Sequence, residues 1–277
     1  MPDTDSPRRT AALSPAAGES VDDGVWIVIP AYNEARTIRG LAQAALALCV
    51  RVLVVDDGSS DDTAEQLRDL PLTLLRHPVN LGKAAALRTA FAHALTLGAM
   101  CAVTIDGDGQ HDPRDATKLL AVWRRQSDRL VIGSRLHDRA RIPRARYFGN
   151  RTACFWISWA AGHPIADTQS GFRVYPRAVM EIALAECASC SGFTFESEII
   201  IAAAQRGHRT LALAIGACYP TDARPSHYRA GPDTMKIIAM VATHLLSRGL
   251  YLHGLWRSLQ RPPETVLTPE SALDSHR

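Results

Sequence analysis

The sequence predicts an α/β protein built on a doubly wound, mostly parallel sheet, with amphipathic helices added towards the C-terminus. Three observations lead there. Short apolar runs alternate along the chain with stretches whose apolar residues fall at helical spacing, the pattern of repeated strand–helix units. The runs are continuously apolar, as strands covered on both faces have to be. Three of them stop at polar clusters: Pro30 to Glu34, Asp56 to Ser59 and Asp106 to Asp108. Open sheets of this kind bind ligands beyond the carboxyl ends of their strands, so the clusters already mark a site.

In chain order, Val25 to Ile29 is the first strand, stopped by Pro30, and Glu34 to Leu48 is the helix after it. Arg51 to Val55 is the second strand. Ser60 or Asp61 can cap a helix over Asp62 to Leu70. Leu72 to Leu75 is a third strand, Lys83 to Leu97 an alanine-rich helix, and Ala99 to Ile105 a fourth strand. A helix over Asp115 to Gln126 and a strand over Leu130 to Gly133 follow. These elements belong to one domain spanning 24–232. Residues 1–23, rich in Pro, Ser, Ala and Asp, read as a disordered leader without the apolar core of a signal peptide. Residues 262–277 read as a flexible tail.

Residues 233–261 carry Ile237, Val241, Leu245, Leu252, Leu255, Trp256 and Leu259 at helical spacing, interrupted at Gly249. One or two amphipathic helices are expected. Two readings of their apolar stripe stand: packing on the protein itself or a partner chain, and an interfacial helix on a membrane. Arg248 near the middle argues against a full span.

The 277 residues suffice for one such domain with a large core, and 47% hydrophobic with 21% charged residues is an ordinary globular balance. A net charge of +3 is too small to indicate a nucleic-acid partner. No run of about 18 apolar residues is present, so no transmembrane helix is expected. The expected location is the cytoplasm, with a peripheral place on the inner membrane face also open. Cys49, Cys101, Cys154, Cys187, Cys190 and Cys218 read as reduced thiols. Cys187 and Cys190 form a C-x-x-C, but no second pair completes a zinc site.

Asp106-Gly107-Asp108-Gly109-Gln110 is the most informative segment. Two carboxylates two apart at a strand end can face one point, with the glycines letting the backbone turn. Such hard oxygen donors suit Mg²⁺ or Mn²⁺ together with diphosphate oxygens and water. An ion there would neutralise charge on a departing nucleotide diphosphate. An EF-hand loop also begins D-x-D but needs Gly at its sixth position and Glu at its twelfth, where this chain has His111 and Thr117. Asp56 and Asp57 fit either a ligand site or a helix-capping turn. Lys83 and the backbone donors beside Gly82 can meet phosphate, or Lys83 can be a solvated side chain. The full P-loop pattern is missing. No G-x-G-x-x-G follows the first strand, which disfavours a nicotinamide-dependent dehydrogenase.

Taken together, Ile29 to Glu34, Val54 to Thr63, Asn80 to Ala90 and Asp106 to Pro113 resemble the family-2 glycosyltransferases of the GT-A, Rossmann-like fold. Asp167 to Arg173 and Phe195 to Glu198 are similar to the polyprenyl-phosphate sugar transferases, the dolichol-phosphate mannose synthase branch. The resemblance covers about residues 25 to 235. It implies an inverting hexosyltransferase with a UDP- or GDP-sugar donor. Pro30, Tyr32, Glu34 and Asp57 would line the nucleoside pocket with Asp56 beside them, and Asn33, Gly82, Lys83 and Gly107 would complete the donor site. Asp106 and Asp108 would bind metal and diphosphate, with Gln110 as third metal ligand.

The stretch from Arg135 to Arg151 carries six arginines against one acid, Asp138, and runs into an apolar segment with Trp156 and Trp159. Arginine grips anions by paired contacts and tryptophan favours membrane interfaces. A polyprenyl-phosphate acceptor fits this pairing; so does a solvated basic loop before a core helix. The resemblance puts Arg135, Arg146 and Asn150 near an acceptor phosphate, with Ser170, Arg224, Ser226 and His227 close by. A phosphate needs no base. A hydroxyl acceptor does, and Glu196 or Glu198 could supply it or simply be acids favoured at a helix start. The main expectation is a lipid-phosphate acceptor. The alternative is a hydroxyl on a glycan, lipid or secondary metabolite, with Glu196 as base, and a non-catalytic nucleotide-binding protein is a third reading.

Overall fold

The computed structural model describes residues 24–49, 51–136, 142, 144–187, 192, 194–216, 230–266 and 268, with the backbone alone at 144–146 and 230–234. Arg224, Ser226, His227, Cys190 and Cys218 fall outside the described residues, as does the side chain of Arg146.

Strand β1 (Val25–Ala31) is buried along its whole length. Its side chains alternate between two cores: Trp26 and Val28 pack into one, and Val25, Ile27 and Ile29 into the other. That two-sided burial is why the run is apolar without a break. Helix α1 (Ile38–Leu46) returns to β2 (Val52–Asp56), and a loop with a short 3₁₀ turn leads to β3 (Thr73–Arg76). Helix α2 (Lys83–Thr96) then carries the chain to β4 (Cys101–Thr104), which pairs with the other edge of β1. Helix α3 (Asp115–Arg125) and β5 (Leu130–Ser134) follow.

The second half adds α4 (Arg144–Ala161), β6 (Arg173–Pro176), α5 (Arg177–Glu186), α6 (Thr194–Gln205), β7 (Thr210–Ala214), α7 (Ala230–Ser247), α8 (Leu252–Gln260) and β8 (Thr265–Val266). The sheet order is β3-β2-β1-β4-β6-β5-β7-β8, with β6 antiparallel to β4 and β5 and the other pairs parallel. The chain leaves β1 towards β2 and β3, then returns to β4 on the opposite side. At this reversal the connections that follow β1 and β4 diverge, leaving a crevice beyond the carboxyl ends of the two paired strands, where ligands of doubly wound sheets bind.

Four features depart from the expected elements. No α-helix fills Asp62 to Leu70; only Glu65–Leu67 winds, as 3₁₀. The Asp61 carboxylate accepts from Thr63 N and reaches across to Ala35 N, so it holds a turn that competes with a helix. The basic stretch and the tryptophan segment are not a loop and a separate helix, because α4 runs through both from Arg144. The stretch 262–277, expected to be loose, contributes β8, with Glu264 O accepting from Ala212 N and Val266 buried. Finally, β6 enters antiparallel, so that the Asp167 to Phe172 turn lies at the carboxyl end of β4.

The two expected C-terminal helices are α7 and α8. They are separated by Gly249, Leu250 and Tyr251, all in the left-handed region. No helix among the described residues is long and apolar enough to cross a membrane. Cys49, Cys101, Cys154 and Cys187 are buried and reduced. Burial raises the Cys101 thiol to about 12 and the Cys154 thiol to about 11, values of unreactive core cysteines.

Candidate active site

Strands β1, β2 and β4 end side by side, and each delivers one of the polar clusters. Asn33, just past β1, takes a left-handed backbone (φ 57°), a conformation asparagine tolerates better than most residues. Its side-chain oxygen accepts from Ser60 N at 2.8 Å, and its own N–H donates to Ser59 Oγ at 2.8 Å. The loops after β1 and β2 are thereby tied together. Buried Pro30 lies under this junction, and Tyr32 and Glu34 are half-exposed beside it.

Asp56 and Asp57 lie behind the crevice, nearly inaccessible. Asp56 accepts from Ser59 N and pairs with Arg76 at 3.0 Å. Asp57 accepts from Leu81 N at 3.0 Å and Gly82 N at 2.7 Å, and meets His77 Nδ1 at 2.6 Å. Its carboxylate therefore fixes the turn that launches α2. Gly58 in the same turn has φ +70° and sits so close to Val79 that a Cβ would lie 2.4 Å from a backbone carbon. The sequence reading offered a ligand site or a capping turn here; the described contacts of both aspartates are with turn backbone and with the side chains of Arg76 and His77.

At the end of β4 stand Asp106, Asp108 and Gln110. Gly107 packs where a Cβ would come within 3.2 Å of Pro30 O, and its own carbonyl accepts from Thr37 Oγ1 at 2.7 Å. Lys83 Nζ, from the first residue of α2, lies 2.6 Å from Asp106 Oδ1 and 3.1 Å from Glu196 Oε2 at the start of α6. Burial alone would lower the Lys83 pKa, but Asp106 and Glu196 together raise it, so the ammonium stays charged. Burial works to raise the Asp106 carboxyl and Lys83 outweighs it, leaving the group below its usual range. Asp108 is pushed upward, first by burial and then by the Asp106 charge.

Arg135 Nη1 donates to Gln110 Oε1 at 3.2 Å. The remaining oxygen of Glu196, Oε1, is buried without a hydrogen-bond partner. Asp106, Asp108, Gln110, Lys83, Arg135 and Glu196 thus form one cluster. Two carboxylates, one strained by the charge of the other, and a nearby amide oxygen are the donor chemistry that suits Mg²⁺ or Mn²⁺. Among the described residues no three His, Cys, Asp or Glu side chains converge on such a centre. An ion here would need Gln110 and ligand oxygens to fill its shell.

Other expected residues fall elsewhere. Ser170 is buried in the Asp167 to Phe172 turn, where its N–H donates to Asp167 Oδ1 at 3.2 Å and its hydroxyl accepts from Phe172 N. Asn150 is half-exposed on α4. Glu198 points away from the cluster to His244 on α7, 2.7 Å from its Nε2.

Two residues enter that sequence reasoning gave no role. Arg173 is fully buried, donating to Ser170 O at 2.6 Å, Thr168 O at 2.9 Å and Glu196 O at 2.9 Å, so it ties the turn to the start of α6. His111 follows Gln110 with its ring against Phe172 and its Nδ1 buried without a partner, and burial lowers its pKa to about 4. Both lie inside quoted motifs, which was the only signal available for them.

A family model described as glycosyl transferase family 2 matches residues 26–181, more than half the chain, with Lys83, Asp106, Asp108, Gln110 and Arg135 inside the match and Glu196 beyond it. The chain belongs to glycosyl transferase family 2. It is therefore a transferase enzyme that uses a nucleotide-sugar donor. Within the family it is 29% identical over 192 residues to the polyprenol monophosphomannose synthase of Mycolicibacterium smegmatis, covering 65% of this chain and 72% of that one. It is 28% identical over 182 residues to a UDP-N-acetylglucosamine–dolichyl-phosphate N-acetylglucosaminyltransferase of Methanococcus voltae, covering 58% and 72%. The glycosyltransferase AglJ of Haloferax volcanii is 32% identical over 191 residues, covering 68% and 61%. In fold, the chain is similar to the glucosyl-3-phosphoglycerate synthase of Mycobacterium tuberculosis, solved with Mn²⁺, UDP and glucosyl-3-phosphoglycerate. The TM-score is 0.53 at 21% identity, over 81% of this chain and 79% of that one.

Proposed function

We propose that this family-2 enzyme transfers a hexose, with inversion, from a UDP- or GDP-sugar to an acceptor hydroxyl, and that Glu196 takes the hydroxyl proton. The observation that carries the reading is the state of the Glu196 carboxylate. Oε2 is held by Lys83 beside Asp106, while Oε1 is buried with no partner. A buried acceptor atom left unsatisfied costs stability, and an acceptor hydroxyl would satisfy it. An anionic phosphate at the same place would be repelled.

In the transfer, the hydroxyl oxygen attacks the anomeric carbon as its proton passes to Glu196 Oε1. The bond from that carbon to the diphosphate breaks, and the nucleoside diphosphate leaves with the electron pair. Asp106, Asp108 and Gln110 would hold Mg²⁺ or Mn²⁺, which supplies charge neutralisation for the leaving diphosphate. Pro30, Tyr32, Asn33 and Glu34 border the nucleoside side of the crevice, and Arg135 positions Gln110.

A second reading, transfer to a polyprenyl phosphate, is favoured by the likeness to the Mycolicibacterium polyprenol monophosphomannose synthase and the Methanococcus dolichyl-phosphate N-acetylglucosaminyltransferase. It is also supported by a face suited to peripheral contact with an anionic membrane. Helices α4 and α8 contain no acidic residue, and Phe155, Trp156, Leu252 and Trp256 are exposed on them. In that reading Arg135, Arg146 and Asn150, with Ser226 and His227, would receive the phosphate and no base is needed.

One experiment decides between them. Wild type and Glu196→Gln are assayed with Mn²⁺ on a panel of UDP- and GDP-sugars, with hydroxyl acceptors and with a polyprenyl phosphate. The hydroxyl reading expects glycoside formation that falls about 10²-fold or more in Glu196→Gln. Sugar on the lipid phosphate, made at nearly equal rates by both proteins, would replace it with the second reading.

A further inference from the structure

We propose that Lys83 is an exchangeable counter-ion. It holds Asp106 and Glu196 together while the donor is away, and moves to the donor's diphosphate on arrival, so that one event frees both carboxylates. The Glu196 half of this inference rests on the function proposed above; the Asp106 half does not.

The geometry gives three reasons. Lys83 Nζ sits 2.6 Å from Asp106 Oδ1, and a metal ion held by the same carboxylate would meet strong repulsion from the ammonium. Any ion drawn to Asp106 therefore competes with Lys83. The same ammonium lies 3.1 Å from Glu196 Oε2, so a carboxylate suited to receive a proton is neutralised as long as Lys83 stays. Glu196 is itself more than nine-tenths buried with Oε1 unpartnered.

The chain around Lys83 also permits exchange of its side chain without movement of its backbone. Leu81 N and Gly82 N are both clamped by the Asp57 carboxylate, which fixes the first turn of α2. Beyond that clamp the lysine side chain keeps 28% of its surface exposed, and the helix start it belongs to favours an anion beside it. A diphosphate beside this turn would offer Lys83 a doubly charged partner in place of two carboxylates. Arg135 stands in the same relation to Gln110, at 3.2 Å. The candidate ligands Asp106 and Gln110 are thus each engaged by a cationic side chain. Donor and metal are then expected to bind in a mutually dependent way.

The test measures Mn²⁺ binding by electron paramagnetic resonance and calorimetry, with no acceptor and no turnover, in the presence and absence of UDP or GDP. Lys83→Met removes the competing charge. Lys83→Gln removes the charge but can still donate hydrogen bonds to both carboxylates, and so guards against loss of folding, which circular dichroism monitors. Both variants are expected to bind Mn²⁺ alone about tenfold more tightly than wild type, and to show a smaller gain on adding nucleotide. Mn²⁺ affinity unchanged or weakened in both variants, with wild type binding normally, overturns the exchange and leaves the transferase reading standing. Asp108→Ala binding Mn²⁺ with UDP as tightly as wild type overturns the metal assignment and the exchange with it.

Discussion

Gly171 leaves no room for a side chain beside Asp106: a Cβ there would lie 2.4 Å and 2.7 Å from the two carboxylate oxygens and 2.7 Å from Lys83 Nζ. The backbone of the Asp167 to Phe172 turn thus walls the ion-pair cluster on one side. Thr104 Oγ1 donates to Gly171 O at 2.6 Å and holds the wall to β4.

Gly171→Ala is accordingly expected to push Asp106 and Lys83 apart while leaving the sheet intact. Turnover with saturating donor should fall at least about tenfold, since small displacements of a positioned group cost rate steeply. Mn²⁺ affinity in the presence of UDP should weaken in parallel, with the thermal midpoint lowered by only a few degrees. Turnover within twofold of wild type would show that the glycine does not set the position of the pair.

The parallel half of the sheet was legible because its physics is local. Strands β1, β2 and β4 are buried on both faces, so they read as unbroken apolar runs, and the acids at their ends stand out. Asp106, Asp108 and Lys83 were therefore visible, and the structure brings them together. The meeting of Lys83 with Glu196 was not legible, because it joins helices far apart in sequence and depends on β6 entering antiparallel. Helix α6 is apolar nearly all round at Ile199, Ile200 and Ile201, which erases the periodicity that marks a surface helix. Arg173 was hidden for the opposite reason. A guanidinium fully buried on peptide carbonyls cannot be told from a surface charge by composition.

The acid limit of stability should be set in part by His163, which is buried between the end of α4 and β7. Its Nε2 accepts from Thr210 N at 3.2 Å, which only a neutral ring can do, and burial followed by the charge of Arg209 lowers its pKa to about 4. The unfolded chain takes up this proton near pH 6.5. Between pH 6.5 and 4 the unfolded state therefore binds more protons, and folded stability falls as pH falls; above 6.5 the group contributes no pH dependence. His163→Gln should flatten the difference in urea-unfolding free energy between pH 7 and pH 4.5 by roughly 2 kcal/mol. An unchanged difference would assign the acid sensitivity to other groups.

The C-terminal edge strand gives the last expectation, and it reverses what the composition of the tail suggests. β8 pairs with β7 through Thr265 and Val266 opposite Ala212 and Leu213. Val266 is buried at 5% exposure, and Glu264 meets the largely buried Arg129 at 2.6 Å. A chain ending at Arg261 would lose the buried valine, the ladder bond from Ala212 N and the partner of Arg129. A cost of roughly 2 kcal/mol or more is expected from the apolar burial and the unpaired groups together. A chain ending at Thr268 keeps all three contacts. Urea midpoints should therefore separate the two truncations, with the longer one matching the full chain and the shorter one unfolding earlier at the same m-value. Because strands β6, β5 and β7 separate β8 from the β1–β4 crevice, turnover of the shorter chain below its unfolding temperature should stay within about twofold of the full protein. Equal midpoints for both truncations would mean that β8 adds nothing to stability.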